Sequence, residues 1–255
     1  MFGRRNKKGA AEDAAGEAEQ VVDGVDTEAE EEEEVERERV RLEPEPRPDG
    51  PWDDTEVREP GEGRVDLGGL FVPGVEGMEL RVEVAGDAIV AATVVLRDSA
   101  IQLQAFAAPK REGIWGEVRE EIASGITQQG GIVDEVEGSL GWELRAQVPV
   151  QLPDGTSGFQ VVRFVGVDGP RWFLRGVISG QGAVQPQAAG LLEQIFRDTV
   201  VVRGEGPMAP RDPIVLKLPN DAQMVPEGVQ QEEGGSRFSG GMGQLQRGPE
   251  ITEVR

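Results

Sequence analysis

The uneven distribution of acidic residues is the feature that most limits what this chain can fold into. The 255 residues carry a net charge of −22, and residues 1–60 alone hold 21 acidic and 9 basic side chains. This segment, with the acidic run Glu30–Glu34 and several prolines after it, cannot bury enough apolar surface to offset the entropy of ordering it. The Gly- and Gln-rich end of the chain has the same weakness. We therefore predict a disordered acidic leader over 1–60, a single folded domain over 61–219 and a disordered tail over 220–255.

Most of the folded segment has the period-two pattern of half-buried strands. The stretch AIQLQAFA at Ala100–Ala107, for example, places apolar side chains on one face and Gln102, Gln104 and Phe106 on the other. Turn sequences such as Gly86–Asp87 connect neighbouring strands as local hairpins. The strands are predicted at 78–84, 89–96, 100–107, 132–137, 142–151, 159–167, 171–179 and 200–203.

Two segments switch to the three- and four-residue spacing of amphipathic helices. The first begins at Ile114 and ends at Gly130–Gly131. The second begins near Pro186, a residue that the first helical turn tolerates, and buries Leu192 and Phe196. Because local hairpins dominate the strand order, we predict an α+β fold, in which two main helices pack on a largely antiparallel sheet.

The residue inventory excludes several kinds of chemistry. The chain has no histidine, cysteine or tyrosine, so it has no thiol nucleophile, no Cys/His zinc site, no Ser–His triad and no disulfide. The strings GVEGM and GVDGP lack the spacing of a phosphate-binding loop. We expect no catalytic residue, no metal and no cofactor, although carboxylate catalysis stays formally open through Asp98, Glu143 or Asp168. Asp98 and Asp168 are better explained as turn residues.

The chain shows no signal for secretion or for a membrane span. The basic start MFGRRNKK is followed by Ala, Glu and Asp rather than by an apolar stretch, and the longest apolar run, Ala88–Leu96, is half of what a bilayer needs. The lack of cysteine fits a reducing compartment. We therefore expect a cytoplasmic protein, and its negative charge disfavours nucleic acid as a partner.

Arginines stand on an otherwise apolar face of two neighbouring strands, Phe159–Val167 and Arg171–Ser179. If Asp168–Pro170 forms the loop between them, Arg163 lies directly opposite Arg175. Like charges opposed across a sheet are unfavourable, so a negative group should neutralise them. One interpretation is an internal carboxylate on another strand or on the second helix, such as Glu143, Glu193 or Asp198.

The other interpretation is a negative group that the chain does not supply. Apolar surface combined with guanidinium groups forms a recess for an anion on a ligand or a partner. The residues predicted to bind it are Arg163, Arg171, Arg175 and Phe173.

Several unusual strings in the folded segment resemble a known family. The stretches DLGGLFVPGVEGMELRVEV, DSAIQLQAFAAPKREGIWGEVREEI, VRFVGVDGPRWFLRGVISG and DTVVVRGEGPMAPRDPIVLKLP resemble an uncharacterised actinobacterial family, domain of unknown function 3710, over residues 62–219. That resemblance carries no site residue with it. The order of elements also resembles the PsbP-like (Mog-type) sandwich, which implies a non-catalytic binding or assembly role.

Two functional hypotheses follow from these patterns. The favoured one is a non-enzymatic cytoplasmic interaction module that binds an unknown protein partner or an anionic ligand on the face bearing Arg163, Arg171 and Arg175. The alternative is a carboxylate- and arginine-dependent enzyme acting on a small anionic substrate, which requires an acid to converge on those arginines in one pocket.

Overall fold

The computed structural model describes residues 46–151 and 155–218, together with the backbone of two strands beyond them. Most of the predicted leader and tail therefore lies outside the described residues. The helices are α1 (Trp115–Gln128), α2 (Gln181–Val184) and α3 (Pro186–Asp198). The strands are β1 (Trp52–Asp53), β2 (Arg64–Asp66), β3 (Leu70–Pro73), β4 (Glu79–Ala85), β5 (Ala88–Leu96), β6 (Ser99–Ala107), β7 (Ile132–Gly138), β8 (Gly141–Gln151), β9 (Ser157–Gly169), β10 (Trp172–Gly180), β11 (Val200–Val201), β12 (Met224–Val225) and β13 (Gln246–Ile251).

The strands form two sheets. In the larger sheet the strand order is β12-β13-β4-β5-β6-β10-β9-β8-β7, and all neighbouring strands are antiparallel. In the smaller sheet the order is β1-β11-β3-β2, and β1 runs parallel to β11. Helix α1 starts and ends close to the predicted Ile114 and Gly130–Gly131, and helix α3 starts at the predicted Pro186. The predicted α+β class, with a largely antiparallel sheet and two main helices, is confirmed.

The two faces of the larger sheet pack against different layers. Trp172, Leu174 and Ile178 of β10 face the smaller sheet and α3, in a core that also contains Phe196 of α3. The alternate side chains of β10 face α1, in a second core built around Trp115. Because side chains alternate along a strand, each residue of β10 belongs to one of these two layers. We call the two sides the α3 face and the α1 face.

A late segment of the chain lies inside the larger sheet. β5 and β6 pair only as far as Ala92 and Leu103, and beyond that point residues 211–217 lie between them. The amide of Ile214 donates to the carbonyl of Ala105 at 2.8 Å, and the amide of Leu216 donates to that of Ile89 at 2.8 Å. The segment after β11 therefore completes the hydrogen bonding of both strands.

Asp168 fixes the start of α1. Its carboxylate accepts the backbone N–H of Ile114 at 2.8 Å and that of Trp115 at 3.2 Å. These donors have no partner within the helix, and a negative charge at a helix N-terminus is favourable. The prediction that Asp168 is a turn residue is wrong: Asp168 lies within β9, and its side chain caps the helix.

The folded part of the chain begins before residue 61. Residues 46–60, which the sequence analysis assigns to the leader, belong to the described structure, and the amide of Trp52 donates to the carbonyl of Thr199 at 3.0 Å. The buried Asp53 accepts the indole N–H of Trp172 at 2.8 Å. A two-residue strand has no periodicity to detect, and the prolines around it favour an irregular interpretation. This is why the predicted domain boundary differs from the structure.

The bond between Asp53 and Trp172 gives a first prediction. We expect Asp53→Ala to lower the free energy of unfolding by about 2–3 kcal/mol, because a buried indole N–H would lose its acceptor. The matched control is Asp54→Ala, which should change it by less than about 0.5 kcal/mol. Burial and the charge of Asp53 already raise the pKa of the Asp54 carboxyl. Urea denaturation followed by tryptophan fluorescence measures both; equal losses would contradict the assignment.

Candidate functional site

The loop between β9 and β10 contains two residues, Pro170 and Arg171. Trp172 pairs with Gly169, so Arg175 pairs with Gly166 and Arg163 with Ile178. An odd shift in register moves a side chain to the other side of the sheet. The predicted opposition of Arg163 and Arg175 is therefore wrong. Arg163 lies on the α3 face and Arg175 on the α1 face.

Arg163 is neutralised by internal carboxylates. Its Nε and Nη2 donate to the two oxygens of Glu143 at 3.1 and 2.7 Å, and Nη2 also donates to Glu193 of α3 at 2.8 Å. The residue directly opposite Arg163 is Arg145 on β8, whose Nε donates to the same Glu143 at 2.9 Å. Two arginines therefore do lie opposite each other, but the partner of Arg163 is Arg145. The fully buried Glu143 accepts hydrogen bonds from both and neutralises their repulsion.

The ion pairs of this cluster shift the pKa values of two of its members. Burial lowers the pKa of Arg163, but its bonds to Glu143 and Glu193 outweigh burial and raise the pKa above its ordinary value. Burial raises the pKa of Glu193, but hydrogen bonds from Ser139 and Arg163 outweigh burial and lower it. The cluster therefore joins β8, β9 and α3 electrostatically. For Arg163, the structure agrees with the first interpretation, in which internal carboxylates neutralise the arginine.

Arg171 and Phe173 have supporting positions. Arg171 lies in the loop with a φ of 64°, and its Nη2 donates to the carbonyl of Gly204 at 3.0 Å, which ties the loop to the segment after β11. Phe173 is 1% exposed. Its ring lies between Trp115 and Phe106, at centroid distances of 5.6 and 6.0 Å. Phe173 therefore fixes the Phe106 ring from within the core.

Arg175 differs from Arg163 because no carboxylate of the described residues lies within salt-bridge distance of it. The side chain is 8% exposed, and its Nη2 donates to the amide oxygen of Gln104. The guanidinium carbon lies 5.4 Å from the ring centroid of Phe106. The buried Nε donates to no described residue. Burial lowers the pKa of Arg175 to about 10, against the opposing effect of Glu83.

Other polar side chains surround Arg175 on the same side of the sheet. The carboxylate oxygen Oε1 of Glu83 on β4 accepts the hydroxyl of Thr93 at 3.1 Å and the amide of Gln102 at 2.6 Å. Gln102 and Phe106 are partly exposed and Gln104 is buried. We call this surface the Arg175 face; its residues are Glu83, Thr93, Gln102, Gln104, Phe106 and Arg175.

Sequence reasoning found part of this face. It placed Gln102, Gln104 and Phe106 together on one face of β6, and the structure places them together on the α1 face. It did not single out Glu83, although the alternation in MELRVEV assigns that residue to the same side. Among the four residues predicted to bind, Arg175 lies on the face and Phe173 supports it, whereas Arg163 and Arg171 lie elsewhere.

The described residues contain neither a candidate metal site nor a candidate membrane-spanning helix. No cluster of three or more acidic side chains in residues 46–151 and 155–218 is arranged to hold a metal ion. None of the helices there combines the length and apolar character that crossing a bilayer requires.

Comparison with known proteins gives one match. The family model described as "Protein of unknown function (DUF3710)" matches residues 50–224. The matched region begins at residue 50, two residues before β1 begins at Trp52. Neither a curated protein nor a solved structure matches the chain.

The contrast between the two buried arginines gives a second prediction. We expect Arg163→Met to lower the free energy of unfolding by about 3–5 kcal/mol, because it leaves Glu143 buried with less compensation. Arg175→Met should stay within about 1 kcal/mol of the wild type, since the removal of a buried charge offsets the loss of the bond to Gln104 and of the contact with the Phe106 ring. Urea denaturation at pH 7 compares the two. A loss for Arg175→Met as large as that for Arg163→Met would show that Arg175 is compensated internally.

Glu193 gives a prediction about acid stability. Its pKa in the folded chain lies below the ordinary 4.5, so its ionised form stabilises the fold above that pH. This contribution is lost as the pH falls through the folded value. The difference in unfolding free energy between wild type and Glu193→Gln should be constant above about pH 5.5 and shrink below about pH 4.5. Urea denaturation across this range measures it, with the exposed Glu76→Gln as control. A difference that does not change with pH would contradict the role of Glu193.

Proposed function

The chain belongs to the DUF3710 family of proteins of unknown function, and we propose that it is a non-enzymatic interaction module that binds an anionic group on the Arg175 face. The anion belongs to a small molecule or to a protein partner. We propose that the module works in the cytoplasm. The resemblance of its element order to the PsbP-like sandwich, which is an expectation from the sequence alone, is a likeness of fold and does not by itself assign a role.

The observation that carries this proposal is that no carboxylate of the described residues forms an ion pair with the buried Arg175. Burying a cation is costly unless a negative group and hydrogen bonds compensate it. Arg175 has one amide acceptor and one aromatic face, whereas Arg163, buried to a similar extent, has two carboxylates. An incoming carboxylate or phosphate would accept hydrogen bonds from the guanidinium, which presents donors in a planar fork suited to such groups.

The groups around Arg175 support recognition. Gln104 holds the guanidinium, and the stack of Trp115, Phe173 and Phe106 fixes the ring beneath it. A site whose side chains are locked by packing binds at a lower entropic cost than a mobile one. The net charge of −22 repels polyanions such as nucleic acid, so we propose a compact anion as the group recognised.

Titration of the full chain with acetate and with inorganic phosphate, at constant ionic strength, tests the proposal. At least one anion should shift the Nε–Hε NMR signal of Arg175 and raise the unfolding temperature. The stabilisation should reach about 2.7 kcal/mol when the anion is at about 100 times its Kd. Arg175→Gln should remove both effects. The control Arg171→Gln, in which the altered side chain lies in the loop, should keep them.

Two results would overturn the proposal. The first is a wild-type response equal to that of Arg175→Gln, which would mean that the anions act through general salt effects. The second is the absence of any shift at Arg175 for both anions.

A further inference from the structure

Glu83 brings a negative charge to the same face as Arg175. Its Oε1 accepts both Thr93 and Gln102, and its Oε2 accepts no hydrogen bond from a described residue. The side chain is partly exposed. One carboxylate oxygen, held by neighbours on the other side, is therefore ready to accept a donor from a ligand.

The strand pairing sets how far apart the two charges lie. Glu83 pairs with Ala91, and Arg175 pairs with Gln104, so the four residues lie at about the same level on successive strands. At this level the segment 211–217 lies between β5 and β6, so the backbones of β4 and β10 are separated by more than three strand spacings, that is, by more than about 14 Å. Both charged side chains lean inward over β6, where Glu83 contacts Gln102 and Arg175 contacts Gln104. These two glutamines are about 7 Å apart, which sets the scale of the gap between the charges.

The surface between the charges includes apolar groups. Ala91, the residue paired with Glu83 on β5, contributes a single methyl group and is fully buried beneath its neighbours. Val215, in the segment between β5 and β6, is 53% exposed. Its neighbours Ile214 and Leu216 point into the core on the α3 face, so Val215 points to the α1 face. The ring of Phe106 completes an apolar floor.

A simple anion would fit this arrangement less well than a ligand with two charges. At this separation Glu83 repels an anion bound to Arg175, whereas a cationic group at the other end of the ligand would convert that repulsion into attraction. A hydrocarbon segment between the two groups would cover Val215 and Phe106, which is favourable in water.

We infer that the ligand of the Arg175 face is an ω-amino carboxylate: a carboxylate for Arg175 and an ammonium group for Glu83, joined by a spacer of several methylene groups. This inference rests on the proposed function, because it assigns the class of ligand to the same site. The ammonium group donates to Oε2 of Glu83, the oxygen that accepts no hydrogen bond from a described residue. The carboxylate accepts from the guanidinium of Arg175.

The test compares matched probes on the full chain by NMR titration. ε-Aminocaproate and hexanoate have the same carbon chain and differ in the ammonium group, and glycine carries both charges too close together to span the glutamines. We expect ε-aminocaproate to bind at least about tenfold more tightly than either, the usual worth of a charged hydrogen bond. Glu83→Gln should abolish this preference. Arg175→Gln should abolish binding of all three probes.

Two controls separate a specific effect of Glu83→Gln on ligand preference from a general loss of charge or of folding. Glu79→Gln removes another carboxylate of β4, one that pairs with Arg81 at 2.8 Å, and should leave the preference intact. Glu83→Gln retains an oxygen for Thr93 and Gln102 but loses the charge that favours the ionised Arg175, so a single cooperative unfolding transition, lowered by only a few degrees, should show that the variant is folded.

The outcomes separate this inference from the proposed function. If hexanoate and ε-aminocaproate bind equally and both depend on Arg175, the ω-amino carboxylate is wrong and anion binding stands. A preference that survives Glu83→Gln would also overturn the inference. If no carboxylate binds through Arg175, the inference fails. If inorganic phosphate also leaves the Arg175 signal unchanged, the proposed function fails with it.

Discussion

The two-residue loop at Pro170 and Arg171 is the constraint on which the rest of this structure depends. It sets the register of β9 against β10, and the register decides which arginine faces which layer. It also keeps Asp168 inside the strand, where its carboxylate holds the first turn of α1. That helix brings Trp115 against Phe173, and through Phe173 the packing reaches Phe106 and Arg175.

The molecule treats its two buried arginines in opposite ways. Arg163 is surrounded by carboxylates from a strand and a helix, so its charge fastens α3 to the larger sheet. Arg175 is held by a neutral amide and an aromatic ring, so its charge keeps the capacity to bind something else. Burial alone does not distinguish them, because both are more than nine-tenths buried. The nearest acidic side chains make the difference.

Sequence patterns predicted the elements of the fold better than their contacts. Alternation and helical spacing located α1, α3 and the long strands, because each of these buries one regular face. The string Asp168–Gly169–Pro170 has the composition of a turn, yet Asp168 lies within β9, where its carboxylate caps α1. A local sequence pattern cannot predict a contact between residues more than 50 positions apart. The short strand β1 escaped prediction for the same reason. Glu143 and Glu193 are correctly predicted as possible internal partners of the arginines. Distant residues decide that both carboxylates pair with Arg163 and neither with Arg175.

The segment that lies between β5 and β6 has a consequence for the integrity of the chain. Residues 211–217 occupy hydrogen-bonding positions on two strands at once, and they come later in the chain than both strands. A chain cut before this segment would expose two open strand edges near the centre of its sheet, and such edges recruit other chains into aggregates. A nascent or proteolysed form lacking these residues is therefore the form that cells must shield or remove.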